Sequence, residues 1–336
     1  MRGAWAAALV AALLAWPLAV VADDEETDTM CSPESAVNTT SLRYTILSNQ
    51  WGNDGSGLQC VTVRCRPPVL YQGRVPSADL QRVQSELGSK DDNATAFNAT
   101  WRWFGNRTEV HSFPSVILNS NVMPVVVSNL TSITIDASWA IVPSPSDDTE
   151  TNSTLLASLD TVADVALDMF LDDDPLKSSN ASGATTEVMV WQSAYGNLKP
   201  LGWDTISADP PIRELSAVNY TLYKGYNANG QTVYSWVPNQ NQTKLSTDLY
   251  PLVDYLVKDG SISDKMYLGR LQFGSETMHS AENQNISFIV SHLEMNVNHE
   301  VWTPPKNSGS GHHKGAASSL QPSIALIMAI VLFLVV

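Results

Sequence analysis

The chain has 336 residues, with 34 acidic side chains against 19 basic, a formal net charge of −15 and three cysteines. That length holds one large domain or two small ones. The acidic balance argues against a nucleic-acid partner, which requires a basic face, and it keeps an exported protein soluble.

Reading begins at the termini. Arg2 precedes an apolar run from Ala4 to Val21, and small residues Val20 and Ala22 suit a signal-peptidase site before the acids start at Asp23. Residues 1–22 therefore read as a signal peptide, and 23–30 as an acidic disordered segment. Ten Asn-x-Ser/Thr sequons agree with export: Asn38, Asn93, Asn98, Asn106, Asn129, Asn152, Asn180, Asn219, Asn241 and Asn285, each an expected surface position. At the far end, 301–323 form a polar linker and spacer, and 324–336 are thirteen apolar residues with no charge after them. A bilayer needs about 20 apolar residues, so the pattern is that of a GPI-anchor signal, with Asn307 or Ser308 as attachment residue. A short transmembrane anchor is the alternative. The location expected is the cell surface, with the membrane touched only through the lipid. In an oxidising compartment, three cysteines leave one bridge and one extra thiol, and spacing allows Cys31 to pair with Cys60 or with Cys65.

Between these ends, residues 31–300 read as one domain of short β-rich runs separated by turn signals. Runs are expected at Tyr44–Ser48, Thr131–Val142, Val162–Leu171, Thr185–Tyr195, Tyr220–Tyr226, Val233–Val237, Met266–Phe273 and Ile286–Asn296. Segment 67–99 reads as a long, partly helical insertion. One helix stands out, because Leu249, Leu252, Val253 and Leu256 follow i, i+3, i+4, i+7 spacing. Ser246 or Thr247 is the expected cap and Gly260 the expected stop. Many strands and a single main helix make the fold class all-β: a jelly-roll sandwich of two antiparallel sheets.

Strand parity then selects candidate site residues. In the run from Thr185, Glu187, Met189 and Trp191 share one face and Val188 and Val190 the other. In the preceding run, Asp164, Ala166, Asp168 and Phe170 share a face, so Asp168 can approach Glu187, and two such acids push their pKa values apart. In the run from Arg270 to Thr277, Gln272, Gly274 and Glu276 share a face, with backbone room for a ligand at Gly274. Trp51, Trp101, Trp103 and Trp203 sit among polar neighbours, and exposed indoles beside carboxylates point to carbohydrate. The sequence holds no HExxH, no zinc-type cysteine spacing, no phosphate loop and no Gly-x-Ser-x-Gly elbow. No cofactor and no metal are called for.

These pieces occur in an order that resembles glycoside hydrolase family 12, jelly-roll endo-β-1,4-glucanases and xyloglucanases. The matching residues run from about Cys31 to Asn298. They include Asn49-Gln50-Trp51-Gly52, Trp101-Arg102-Trp103, Asp164 to Phe170, Glu187-Val188-Met189-Val190-Trp191, Pro200-Leu201-Gly202, Gly225-Tyr226-Asn227 and Gln272-Phe273-Gly274-Ser275-Glu276. The resemblance implies Glu187 as nucleophile, Glu276 as acid/base, and Asp168 as the acid contacting the nucleophile. It implies a cleft on the concave face, where Trp51 stacks on sugar and Asn49, Met189, Trp191 and Trp103 line the substrate. It also implies a Cys31–Cys60 disulfide. The expected reaction is retaining, endo-acting hydrolysis of β-1,4-glucosidic bonds in cellulose-like glucan or xyloglucan by a monomer, in polysaccharide catabolism or wall remodelling. A catalytically weak glucan-binding protein or decoy on the same fold is the alternative. Here the chain departs from the pattern in its 67–99 segment and in Thr277-Met278, where the family often has a Pro-Phe-like pair.

Overall fold

The computed structural model describes residues 26–39, 41–65, 94–146 and 148–300. The chain divides into a compact unit Met1–Glu300 and a second unit Val301–Val336. The expected signal peptide, most of the 67–99 segment, Asn93, the linker, the anchor tail, Asn307 and Ser308 all lie outside the described residues.

The strands are, in chain order, β1 Glu26–Met30, β2 Ala36–Asn38, β3 Tyr44–Leu47, β4 Gly57–Cys65, β5 Thr95–Trp103, β6 Ser115–Leu118, β7 Val125–Val126, β8 Leu130–Ser144 and β9 Val162–Asp172. They continue with β10 Thr186–Tyr195, β11 Ile212–Leu215, β12 Val218–Tyr226, β13 Thr232–Pro238, β14 Lys244–Asp248, β15 Tyr267–Gly274, β16 Thr277–His279 and β17 Asn285–His299. Helices are brief: α1 Ser153–Ser158, α2 Pro175–Ser178 and α3 Tyr250–Lys258. Six strands make one sheet in the order β1-β4-β5-β17-β8-β14. The larger sheet runs β11-β12-β13-β10-β9-β15-β6-β3-β2, with β16 added on β9 and β7 on β15. This is the jelly-roll sandwich that the strand pattern predicts.

Three expectations are corrected. First, the sheets are not wholly antiparallel, because β10 pairs with β13 in parallel from Thr186↔Thr232 to Val190↔Trp236. The chain leaves β10 at Tyr195 and returns through residues 196–211 before making β11, β12 and β13, so β13 runs in the direction of β10. Second, Glu26–Met30 is an edge strand rather than disordered. It pairs with β4 from Glu26↔Cys65 to Met30↔Val61, and Met30 is buried in the core. An edge strand tolerates acids because one side meets water, and the Cys31–Cys60 disulfide follows it directly. Third, Ser246 and Thr247 do not cap α3. Both belong to β14 and pair with Asp136 and Ile135 of β8. The helix starts at Tyr250, whose N–H donates to Asp248 Oδ1 at 3.0 Å. It ends as expected near Gly260, in the left-handed region at φ +79°.

The space between the sheets is filled by aromatic and branched side chains. Trp101, Trp103, Trp236, Tyr220, Phe273 and Phe288 are fully buried. Trp139 of β8 meets Phe273 of β15 edge-on at 5.4 Å, which joins the two sheets, and Phe97 meets Phe288 at 5.6 Å. Strand β9 is buried on both faces along its whole length. Its Val165, Leu167, Met169 and Leu171 enter the main core, whereas Ala166 joins Met189, Trp191 and Val233 in a separate apolar cluster on the sheet's other face. That second face is the cleft face.

The disulfide joins two cysteines 29 positions apart in the sequence. In the chain-entropy account, a loop of this size contributes about 3–4 kcal/mol by restricting the unfolded chain. Replacing both Cys31 and Cys60 by Ser should lower the unfolding free energy by that amount and raise the m-value, because the unfolded chain is no longer held together, as read by denaturant titration at fixed pH.

Candidate active site

Four acids converge on the cleft face. Period-2 alternation carries Glu187 on β10 with Met189 and Trp191, and Asp164 and Asp168 on β9 with Ala166. Register brings them close: Glu187 is opposite Phe170, Met189 opposite Asp168, and Asp168 opposite Gln272 of β15. Asp168 therefore sits diagonally across from Glu187, within reach of its charge.

Glu276 arrives differently from the sequence expectation. Strand β15 stops at Gly274, and Glu276 lies in the two-residue link to β16. Three ties to β9 hold that link. Glu276 N–H donates to Asp164 Oδ1 at 2.9 Å, Asp164 N–H donates to the Glu276 carbonyl at 3.1 Å, and Ser275 Oγ donates to the Asp164 carbonyl at 2.5 Å. Gly274 serves this approach rather than leaving ligand room. A Cβ there would lie 2.6 Å from the Pro114 carbonyl oxygen and 2.7 Å from the Ser115 Cβ.

Trp103 is the second site correction. It does not line the substrate, because it is fully buried in the main core, as is Trp101. Its indole Nε1 donates to Thr277 Oγ1 at 2.9 Å, so it braces the residue next to Glu276 from behind. Polar neighbours misplace it in the sequence. Yet Phe97, Ala99, Trp101 and Trp103 are the alternate buried residues of β5, and parity alone identifies that face as inward.

The remaining residues expected to line the cleft are placed as follows. Trp51 is 67 % exposed in a loop after β3. Gly52 fixes that loop, its N–H donating to the His111 carbonyl at 3.1 Å, and an added Cβ would strike the Val110 carbonyl oxygen. Asn49 has φ +48° and its carbonyl accepts from Phe113 N–H at 2.9 Å; Asn tolerates that region better than most residues. Met189 and Trp191 are 5 % and 3 % exposed and form the cleft floor. Trp203 is half-exposed, stacked on Tyr223 at 5.4 Å with Lys199 Nζ 3.8 Å from its ring centre. Of the sequons, Asn38, Asn106, Asn129, Asn152, Asn180, Asn219 and Asn241 are exposed, and Asn98 and Asn285 half-buried.

Sequence reasoning named Asp164, Gln272 and Asn227 without giving them a task. Asn227 Nδ2 donates to Glu187 Oε2 at 3.3 Å, and its own carboxamide is steadied by Gln231 at 2.7 Å. Gln272 Nε2 donates to Asp168 Oδ2 at 3.4 Å, while Arg270 Nε donates to Gln272 Oε1 at 2.9 Å. Parity flags Gln272. No local signal could place Asn227, which reaches Glu187 from a turn beyond β12.

Donors are few, so the acids hold protons. Burial, then the Glu276 charge, pushes Glu187 up to about 7, against which Asn227 works. Burial raises Glu276, with the Asp164 contact working against it. Asp168 is pushed well above the usual carboxylate range by burial, then by Glu187 and Glu276. Burial and Glu276 push Asp164 the same way. At acid to neutral pH the cluster therefore holds protons that exposed carboxyls would have lost, and coupled acids of this kind can divide acid–base and nucleophilic tasks on one substrate.

The same shifts carry a stability consequence. A folded-state pKa above the unfolded value makes the folded chain bind protons more tightly. The associated stability is complete below about 4.5, the ordinary value for Glu187, and is lost as pH rises through about 7. The full chain should melt several degrees higher at pH 5 than at pH 8. Glu187→Gln should raise Tm at pH 8, by roughly 2–4 °C for each kcal/mol recovered, and flatten the dependence; a scan of Tm against pH for both proteins checks it.

The family model for Glycosyl hydrolase family 12 matches residues 42–298. Among curated relatives, the xyloglucan-specific endo-beta-1,4-glucanase A of Aspergillus aculeatus is 27 % identical over 256 residues, covering 76 % of this chain and 85 % of the relative. The enzyme of that name from Emericella nidulans is 26 % identical over 239 residues, covering 70 % and 80 %. Among solved structures, Trichoderma harzianum endoglucanase 3 from family GH12 superposes with a TM-score of 0.61 at 24 % identity, covering 81 % of this chain and 98 % of the other. The family 12 xyloglucanase from Bacillus licheniformis gives 0.57 at 16 % identity, covering 81 % and 100 %. The matched segment spans both sheets and all four acids, and the chain belongs to glycosyl hydrolase family 12.

Proposed function

We propose that the protein, an endo-1,4-β-glucanase of the retaining type, cleaves the backbone of xyloglucan at the cell surface with Glu187 as nucleophile and Glu276 as acid/base. The observation that carries the roles is the closeness of these two acids, the Glu276 charge acting directly on Glu187, with Glu187 on the strand face that carries the buried Met189–Trp191 cluster. The names of the curated relatives support xyloglucan ahead of unbranched glucan.

The chemistry needs one state of this coupled pair, with Glu187 ionised and the proton on Glu276. Glu187, ionised and steadied by Asn227, attacks the anomeric carbon while Glu276 gives its proton to the departing glycosidic oxygen. Glu276, now a carboxylate, takes a proton from water, whose oxygen attacks the same carbon and frees Glu187. Two inversions restore the starting configuration. Asp168, held neutral by burial and by its charged neighbours, adds no competing charge beside Glu187. One chain supplies every group, and the enzyme works as a monomer.

Glu187→Gln should abolish release of reducing ends from xyloglucan, mixed-linkage glucan and cellulose while leaving the circular dichroism intact and the fold no less stable. Glu276→Gln should slow turnover by about 10²–10⁴-fold, the usual worth of a positioned acid. Xyloglucan should be cut fastest of the three polymers by the wild type. Binding of all three without any cleavage would favour a glucan-binding protein instead.

Export and anchoring are part of the same reading. They rest on the apolar segments 4–21 and 324–336, the spacer around Asn307 and Ser308, and sequons that include seven exposed asparagines. Treating cells that express the full chain with phosphatidylinositol-specific phospholipase C should release the glucanase activity into the medium. Activity that stays with the cells would point to a transmembrane anchor.

A further inference from the structure

Asp164 is a fully buried carboxyl that neither displacement step uses. Nothing about its surroundings suits an idle acid. Its Oδ1 accepts the Glu276 N–H at 2.9 Å, and its backbone is bonded in both directions to the Ser275–Glu276 link. Its Oδ2 is buried with no hydrogen-bond partner in this arrangement, and the Glu276 carboxyl is the strongest charge acting on it. The other charge facing it is Asp168, four residues along β9 on the same face. Across β10 its partner is Ala194, and across β16 the residue opposite neighbouring Ala163 is Thr277, neither of which titrates. Among the described residues no cation acts on the pair.

We propose that Asp164 is a positioning residue for Glu276, fixing its backbone and carboxyl from behind and holding one proton in common with it. The inference rests on the assignment of Glu276 as acid/base. Two carboxyls in contact without a cation lose their protons in two separated steps, and the second step belongs to the pair. While one proton remains, it is available to Glu276, and an ionised Asp164 raises the pH at which it is finally lost. In the first displacement the pair starts with one proton and one negative charge. Glu276 passes the proton to the leaving oxygen, so the pair gains a charge as Glu187 loses one in forming its ester. In the second displacement water returns the proton to Glu276 and its oxygen bonds to the anomeric carbon, and the charge goes back to Glu187. The total is constant throughout, which suits a floor with few donors.

The test is the pH profile of kcat/KM on whichever of the three polymers the wild type cuts, for wild type, Asp164→Asn, Asp164→Ser and Glu276→Gln in the full chain. Asn keeps an acceptor for the Glu276 N–H and cannot ionise; its amide also donates to the Glu276 carboxylate, which favours loss of the Glu276 proton. Activity at the optimum pH should stay within about tenfold of wild type, while the alkaline limb moves to lower pH by about one unit or more. Asp164→Ser, smaller and equally unable to ionise, should move the limb the same way, so a folding defect in one variant leaves the other to decide. A limb that stays where it is in every folded variant, with the rate reduced equally at all pH, is the mark of a merely structural Asp164 and overturns the proposal. Full activity in Glu276→Gln would overturn the acid/base assignment itself, and the proposal with it. Loss of activity in Glu276→Gln together with an unmoved limb in the Asp164 variants would sink the proposal alone.

Discussion

Burying acids without cations is the constraint around which this sandwich is built. Strand β9 has apolar Val165, Leu167 and Met169 on one face and Asp164 and Asp168 on the other, and both faces are covered. Removing carboxylates from water is costly unless they are paired or protonated. Arg270 is the nearest cation to Asp168, and its own guanidinium is bound to Gln272 instead. The fold therefore carries the cluster as protonated groups, and the price appears as stability surrendered at neutral pH. Catalytic sites commonly trade stability in this way. The aromatic core beneath, with Trp139 against Phe273 and Phe97 against Phe288, supplies the rigid packing that keeps the acids together against their repulsion.

Legibility from sequence followed locality. Glu187, Met189 and Trp191 could be read together because side-chain direction alternates with period 2, and the register of β9 against β10 depends on nothing more exotic. The face shared by Asp164, Ala166 and Asp168 was equally readable. Glu276 was placed on the correct side for the wrong reason, since it sits in a link where parity has lapsed and is aimed by Asp164 and Ser275. Its neighbour Gly274 needed the position of Pro114, some 160 residues earlier in the chain.

The misreadings have physical sources too. Trp103 was assigned by its polar sequence neighbours when the pattern of β5 put it inside. The cap of α3 was sought among hydroxyls, but Ser246 and Thr247 were already committed to β14, and the carboxylate of Asp248 took their task while also accepting the Ile133 N–H at 2.8 Å. Acidic composition argued for disorder at Glu26–Met30, yet backbone pairing with β4 and the burial of Met30 outweigh it. The parallel pairing of β10 with β13 is set by a crossover whose endpoints no local pattern relates.

A buried polar chain connects features that look unrelated in the sequence. Gln50 Nε2 is placed to donate to the Cys31 carbonyl at 3.0 Å and to the Gln59 carbonyl at 3.1 Å. Gln59 Nε2 donates to the Ser48 carbonyl at 2.6 Å, and its Oε1 accepts from Ser112 Oγ at 2.5 Å. Ser112 Oγ in turn bonds Thr277 Oγ1, which accepts the Trp103 indole. Gln50 precedes the exposed Trp51, Gln59 precedes the disulfide at Cys60, and Thr277 follows Glu276. A network of this kind is stable only when nearly every member is satisfied, and then it permits one geometry. It thus ties the Trp51 loop and the Glu276 link to a common frame, so that on the proposed roles a glucan ring stacked on Trp51 has a set distance to the proton on Glu276. Proximity of that sort accounts for much of an enzyme's acceleration. The disulfide and a core tryptophan, which take no part in the chemistry, bear on rate through this frame.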